Sequence, residues 1–261
     1  MSDPYMIWTM RRTGGTSLAS LLMRYAPFPS LEHEPFNAGR VWHHILEKFQ
    51  APDGSAATEA ALRSALRDRP VIKNCYDLHP RTLHALLLRL TTELGYRHIV
   101  LDRGNEADRV LSLALAAQTS VWGYQSARRD YSEILEGSRK LEPIPEANVL
   151  EPMRRAQARR VWLADALEAA GITPHVVFFE EIYSPEVDGK ARVRAIFRFL
   201  DTPMEPADQF EVDLHETVHE KSQGSSRILP LVPNIAELQG LLASEQQSTG
   251  SSPWARFAAG G

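Results

Sequence analysis

Residues 5–18 read YMIWTMRRTGGTSL, and this stretch decides the fold. Tyr5 to Met10 is a short run of large apolar side chains with one threonine, the composition of a strand buried on both faces. Gly14 and Gly15 follow, and they let the backbone turn sharply enough for consecutive N–H groups to point at one oxyanion. From about Thr16 to Tyr25 the leucines at 18, 21 and 22 recur on one helical face. The positive end of that helix faces whatever the glycine turn holds. Thr16 and Ser17 can donate hydroxyl hydrogen bonds to the same anion, and Arg12 supplies a full charge. A glycine turn that joins strand to helix without any ligand uses the same residues, but the two arginines beside it favour an anion.

The same alternation continues outward. Helices are expected over Arg40–Phe49 and Glu59–Arg67, with Ala51–Thr58 as a small, polar loop between them. Val71–Cys75 is a second buried strand, although it carries Lys73. Pro80 opens a leucine-rich helix that Gly95 closes. His98–Asp102 is a third strand and His175–Phe179 a fourth, with helices over Arg109–Gln118, Glu151–Ala170 and Lys190–Leu200. Strands alternating with helices imply a parallel sheet covered on both faces. The expected fold is therefore α/β, a P-loop-like three-layer sandwich with a central parallel sheet flanked by helices. It forms one domain over residues 1–261, with a frayed Ser-, Gly- and Ala-rich tail from about residue 248.

Composition narrows the partners. The 261 residues carry 29 basic and 33 acidic side chains, a formal net charge of −4, which gives no general pull toward nucleic acid or anionic lipid. No segment approaches the roughly 20 apolar residues of a membrane span. The first apolar run meets Arg11 and Arg12 at once, unlike a secretion signal, so a cytoplasmic enzyme is expected. The single cysteine, Cys75, excludes an intrachain disulfide and a cysteine-rich metal site. Oligomeric state is not written here, although a homodimer is the commonest form an oligomer takes. The loop is not a Walker A motif either. GxxxxGK[ST] requires a lysine before its Ser/Thr, and Gly15 stands in that place.

Strand–RRTGGTSL–helix resembles the 5′-phosphosulfate loop of sulfotransferases that use 3′-phosphoadenosine 5′-phosphosulfate. Arg12 falls where that loop has its basic residue, with Thr13 and Gly14 next. A second segment, LDRGNEADRVLSLALAAQTSVW at 101–122, is similar to the 3′-phosphate segment of the same family. In that segment an arginine at the strand end and a downstream serine hold the nucleotide; here they are Arg103 and Ser112. The trailing Ala117-Gln118-Thr119 and Trp122 resemble bacterial carbohydrate sulfotransferases of the trehalose-sulfating type. VVFFEEIYSPE (176–186) followed by VRAIFRFLDTP (193–203) is a looser match to a later strand and helix of the family.

The resemblance implies a sulfuryl transferase acting on a carbohydrate or glycolipid hydroxyl, with the phosphosulfate nucleotide as donor and no metal. Arg12, Thr13, Gly14, Gly15, Thr16 and Ser17 would grip the donor's 5′ end, and Arg103 and Ser112 its 3′-phosphate. An arginine cannot donate a proton at neutral pH, so Arg12 would act by stabilising charge. Glu34, in LEHEPFN, falls where the bacterial enzymes place a catalytic carboxylate. Leu31, Pro35 and Phe36 around it suit a general base. His33 is the rival base. Cys75 stands where cytosolic relatives have a catalytic histidine, which leaves Glu34 preferred. Lys73 either helps bind sulfate or pairs with a core carboxylate. The loop KSQGSSR, Lys221 to Arg227, either closes over the 3′-phosphate or is a solvated surface. Gly39–Asp53 and Tyr124–Val149 are the expected walls of the acceptor pocket. Two rivals remain at this level: a kinase-like phosphotransferase on the same fold, and a non-catalytic nucleotide-binding protein.

Overall fold

The computed structural model describes all residues except 1, 32–33, 53, 123, 221–223, 249–251 and 261, and only the backbone of residues 124–129, 220 and 258–260. His33 and the Lys221–Gln223 part of the basic loop therefore lie outside the described residues. In chain order the elements are β1 (Tyr5–Thr9), α1 (Gly15–Tyr25), α2 (His43–Gln50), α3 (Ser55–Ala65), β2 (Ile72–Cys75) and α4 (Arg81–Glu93). Then come β3 (Arg97–Asp102), α5 (Glu106–Thr119), α6 (Tyr124–Leu135), α7 (Ala147–Ala169), β4 (His175–Phe178) and α8 (Phe179–Tyr183). α9 (Gly189–Phe199), α10 (Ala207–His215), α11 (Ser225–Ile228), α12 (Ile235–Ser248) and a 3₁₀ segment (Pro253–Gly260) complete the chain.

The four strands form one sheet in the order β2-β1-β3-β4, and every pairing is parallel. β1 is buried along its whole length, as a central parallel strand must be. Alternation along the strands divides the core between two faces. Met6, Trp8, Ile72 and Val100 pack with Leu83, Leu87, Leu163 and Leu167 of α4 and α7. Tyr5, Ile7, Ile99 and Leu101 pack with Leu18 and Leu22 of α1 and Phe197 of α9. A third cluster joins α5, α6, α7 and α12 through Leu111, Leu115, Tyr131, Met153 and Leu238. The architecture is the expected three-layer α/β sandwich. Among the described residues no helix is long and apolar enough to cross a membrane.

Two expectations are corrected. The stretch Ala51–Thr58 is a loop only to Gly54, because Ser55–Thr58 already forms the first turn of α3. The tail is not frayed throughout. Trp254 is 1 % exposed, and its indole N–H donates to Asp102 Oδ2 at 2.6 Å. One aromatic side chain, with its donor satisfied inside the sheet layer, anchors an otherwise small-residue segment.

The order β2-β1-β3-β4 positions the site. From β1 the chain leads to β2 on one side, and from β3 it leads to β4 on the other. The crevice beyond the carboxyl ends of β1 and β3 is thus the switch point where ligands collect in open parallel sheets. The loops that leave those strands carry Arg12 and Arg103.

Candidate functional site

The β1–α1 loop has the backbone of an anion cradle. Arg12 (φ 72°) and Gly14 (φ 76°) are both left-handed. α1 starts at Gly15 with no side-chain cap and no acidic residue in its first turn. Its first N–H groups lack intrahelical acceptors and point toward the crevice. Both glycines are required by crowding. A Cβ on Gly14 would lie 2.6 Å from the Tyr183 ring, and one on Gly15 would lie 2.9 Å from Thr9 Oγ1 and 3.3 Å from Lys73 Cε. Tyr183 also donates its hydroxyl to Gly14 O at 3.1 Å, so α8 closes one side of the loop.

The side chains of the loop divide. Thr13 is fully buried and donates to Met10 O at 2.8 Å, with Thr9 beside it, so it offers the crevice only its backbone. Thr16 is exposed and Ser17 half-buried. Arg11 does not join the loop; its Nε meets Asp77 Oδ2 at 2.8 Å. Arg12 turns toward the third strand's loop, where its Nε donates to Ser112 Oγ at 2.9 Å. Ser112 Oγ lies 3.0 Å from Ser225 Oγ, which brings the described part of the late basic loop to the same point. Arg103 donates weakly to Arg12 O at 3.5 Å, bonds Asp108 at 3.2 Å and lies over the Phe179 ring at 4.5 Å. Arg12 thus shares one place with Arg103 and Ser112, which lie 91 and 100 residues further along the chain. Burial, and to a lesser degree Arg103, lowers the pKa of Arg12. Burial, then Arg109, does the same to Arg103, against the pull of Asp108 and Glu180. Two guanidiniums that disfavour one another stand where an anion would relieve both.

A buried ionic chain beneath the crevice sets the two loops. Asp102 accepts both Arg160 nitrogens (2.6 and 2.8 Å), the Trp254 indole, and the backbone N–H of Arg103 at 2.8 Å. Arg160 continues to Glu106 at 2.5 Å, Glu106 to Arg109, and Arg109 Nη1 to the carbonyl of Arg11 at 3.2 Å. Burial opposes the Asp102 carboxylate, but Arg160, the indole and the amide outweigh it and lower its pKa. No pattern in the sequence announces this network, because its members read as ordinary helix charges.

Glu34 lies on the far side of the loop, also with left-handed backbone (φ 52°). Its expected apolar enclosure is only part of the setting. Lys73 Nζ donates to Glu34 Oε1, and the Cys75 thiol reaches the same oxygen at 3.2 Å. Of the two readings of Lys73, the structure shows the ion pair, with the Lys73 side chain 3 % exposed and that of Glu34 26 %. Burial opposes the ammonium, but the ion pair with the Glu34 carboxylate outweighs burial and raises its pKa. Burial pushes the Cys75 thiol far up, so it is a neutral donor here. Because the Lys73 stem lies against Gly15, the pair and the anion cradle belong to one site. Among the described residues no cluster of His, Cys, Asp or Glu is placed to hold a metal ion.

Compared with protein-family models and with characterised proteins, the sequence gives no match to either.

Proposed function

We propose that this chain is a sulfotransferase that moves a sulfuryl group from 3′-phosphoadenosine 5′-phosphosulfate to a hydroxyl of a carbohydrate or glycolipid. The observation that carries the reading is the meeting of Arg12, Arg103 and Ser112 at the switch point. One anion-binding loop alone speaks only for an oxyanion. Two, from adjacent strand ends, suit a nucleotide with phosphate at both its 5′ and 3′ positions. Gly15 in place of a Walker lysine speaks against a kinase-like reading.

In the proposed reaction the acceptor hydroxyl attacks sulfur in line, the bond from sulfur to the phosphate oxygen breaks, and the bisphosphate leaves. Arg12 and the N–H groups at the start of α1 meet the charge that grows on the bridging oxygen. Glu34, ion-paired with Lys73, takes the hydroxyl proton. Positioning then supplies much of the acceleration.

Thermal shift with adenosine 3′,5′-bisphosphate, ATP and AMP tests the donor site. A ligand at a hundred times its Kd adds about 2.7 kcal/mol to the folded state. The bisphosphate alone is expected to stabilise strongly; equal shifts with all three would overturn the assignment of Arg103 and Ser112.

A further inference from the structure

The loop that follows β3 uses its backbone differently from the loop that follows β1. α1 starts with no side-chain cap and no acidic residue in its first turn, which leaves its first N–H groups to an anion. After β3, three consecutive N–H groups are taken by carboxylates. That of Arg103 donates to Asp102 Oδ1 at 2.8 Å, and those of Gly104 and Asn105 donate to Glu180 Oε2 and Oε1 at 2.9 and 3.0 Å. Successive N–H groups in a turn can hold an anion by themselves, and here they are already engaged. α5 then opens with Asn105 as its cap and with Glu106 and Asp108 in its first turn, so that helix end repels an anion too. At β3 a phosphate is therefore left to side chains, those of Arg103 and Ser112. A side-chain grip is only as accurate as the mount that carries it.

The mount has two supports, from distant parts of the chain. Asp102, 2 % exposed, is fixed from within by Arg160 and by the Trp254 indole, each 2.6 Å from Oδ2. Glu180 comes from α8, whose Phe179 ring lies 4.5 Å from the Arg103 guanidinium and whose Tyr183 bonds Gly14 of the other loop. Glu180 Oε1 also stands 3.8 Å from Arg103 Nε. The C-terminal segment and α8 thus bear on the same three residues, 103–105.

We infer that Trp254 and Glu180 are positioning residues for Arg103, Trp254 acting through Asp102 and Glu180 through the N–H groups of Gly104 and Asn105. Both act on the donor site through Arg103. The inference rests on the sulfotransferase reading for its meaning, because what the two residues control is the grip on a 3′-phosphate.

The test titrates the full chain calorimetrically with adenosine 3′,5′-bisphosphate and with AMP. The ratio of the two affinities is what the 3′-phosphate adds, and about tenfold or more is expected from contacts to a charged group. Trp254→Phe keeps an aromatic ring and removes the indole N–H; it should lower the ratio about threefold or more and leave AMP within about twofold. Glu180→Gln and Glu180→Ala lose the same charge, but glutamine keeps an oxygen for one N–H. The ratio should therefore be about threefold or more higher in Glu180→Gln than in Glu180→Ala, and Glu180 is exposed enough that neither change threatens the fold. Phe210→Leu, in the core on the opposite face of the sheet, should lower Tm and leave the ratio unchanged. Hydrogen exchange at the amides of residues 103–105 is followed in parallel. It should quicken in Trp254→Phe and Glu180→Ala, while the amides of β1 keep their rate. Ratios unchanged in Trp254→Phe and equal in the two Glu180 variants would overturn the inference, as would a ratio that falls equally in Phe210→Leu. If the bisphosphate binds no better than AMP to the unaltered chain, the donor reading fails and exchange alone decides. Quickening confined to residues 103–105 then keeps the mount, and its absence overturns that as well.

Discussion

Removing the carboxylate of Glu34 should expose how far Lys73 depends on it. The Lys73 ammonium is almost wholly enclosed, whereas a quarter of the Glu34 side chain reaches solvent. The two deletions are therefore unequal. Glu34→Ala leaves a buried cation whose remaining neighbour is a neutral thiol, and breaking such a pair costs about 3 kcal/mol. For a chain of this size that lowers Tm by about 6–9 °C. Lys73→Met replaces the ammonium with an apolar side chain of similar length and leaves a carboxylate that water still reaches, at a cost of about 1 kcal/mol or less. In the Lys73→Met background, Glu34→Ala should cost only about 1 kcal/mol, so the coupling is about 2 kcal/mol. The left-handed backbone at residue 34 strains alanine in both backgrounds and cancels. Urea unfolding at neutral pH, with the slope checked for constancy, measures all four corners. A coupling below about 0.5 kcal/mol, the level of ordinary additivity, would refute the pair as the support of Lys73. So would a Lys73→Met variant less stable than Glu34→Ala.

Three further outcomes follow from the packing. Deleting the chain after Ser248, or changing Trp254 to Ala, should cost about 3–5 kcal/mol in urea unfolding, because a buried indole is lost; a frayed tail would cost nothing. His84 and His98 are held neutral, chiefly by burial, with pKa values lowered to about 3 and about 4, and Trp8 Nε1 donates to His98 Nδ1 at 3.0 Å. Both values lie below the ordinary 6.5, so the unfolded chain binds the extra protons. Stability should be fully present above pH 6.5 and decline as pH falls toward 3–4. Urea midpoints across that range check it, and a flat profile in a chain that stays folded would contradict the burial of these rings. Gly14→Ala forces a Cβ to 2.6 Å from Tyr183 at φ 76°, so it should destabilise the loop by about 1–3 kcal/mol and weaken bisphosphate binding, read by thermal shift.

Much of this frame was legible because its signals are local. Apolar runs within Tyr5–Met10 and His98–Asp102 need no partner to be recognised as buried strands, and the glycine pair marks the turn by its backbone alone. Errors lie where distant contacts decide. α5 begins at Glu106, three residues before the apolar pattern, because Asn105 caps it by accepting from Asp108 N at 3.1 Å, and because Glu106 is buried against Arg109 and Arg160. α7 begins at Ala147 and continues through Pro152, which reads as a helix breaker but sits early in the helix. Trp254 gives no periodic signal, since its partner Asp102 is 152 residues away. In the site, Arg12, Arg103 and Ser112 were nameable as a pair of motifs, whereas their meeting depends on the strand order. Asp77 carries no mark in the sequence that separates it from surface polar residues, and Ser225 was legible only as a member of the late basic loop.

Backbone strain gives an independent reason to place function at Arg12 and Glu34. Among the described residues, those with positive φ other than glycine are Arg12, Glu34, Arg69, Ser120 and Asp201. Ser120 is the C-cap of α5, and the N–H groups of Arg69 and Asp201 close turns onto Leu66 O and Arg198 O where helices end. Helix termination explains those three. Arg12 and Glu34 end no helix, and an L-residue in this conformation costs about 1–2 kcal/mol that glycine would avoid. At Arg12 the gain from glycine would be set against loss of the Ser112 contact. At Glu34 it would leave Lys73 unpaired. Strain retained at both positions, on opposite sides of one anion cradle, is what a site selected for side-chain placement requires, and a simple strand-to-helix turn requires neither.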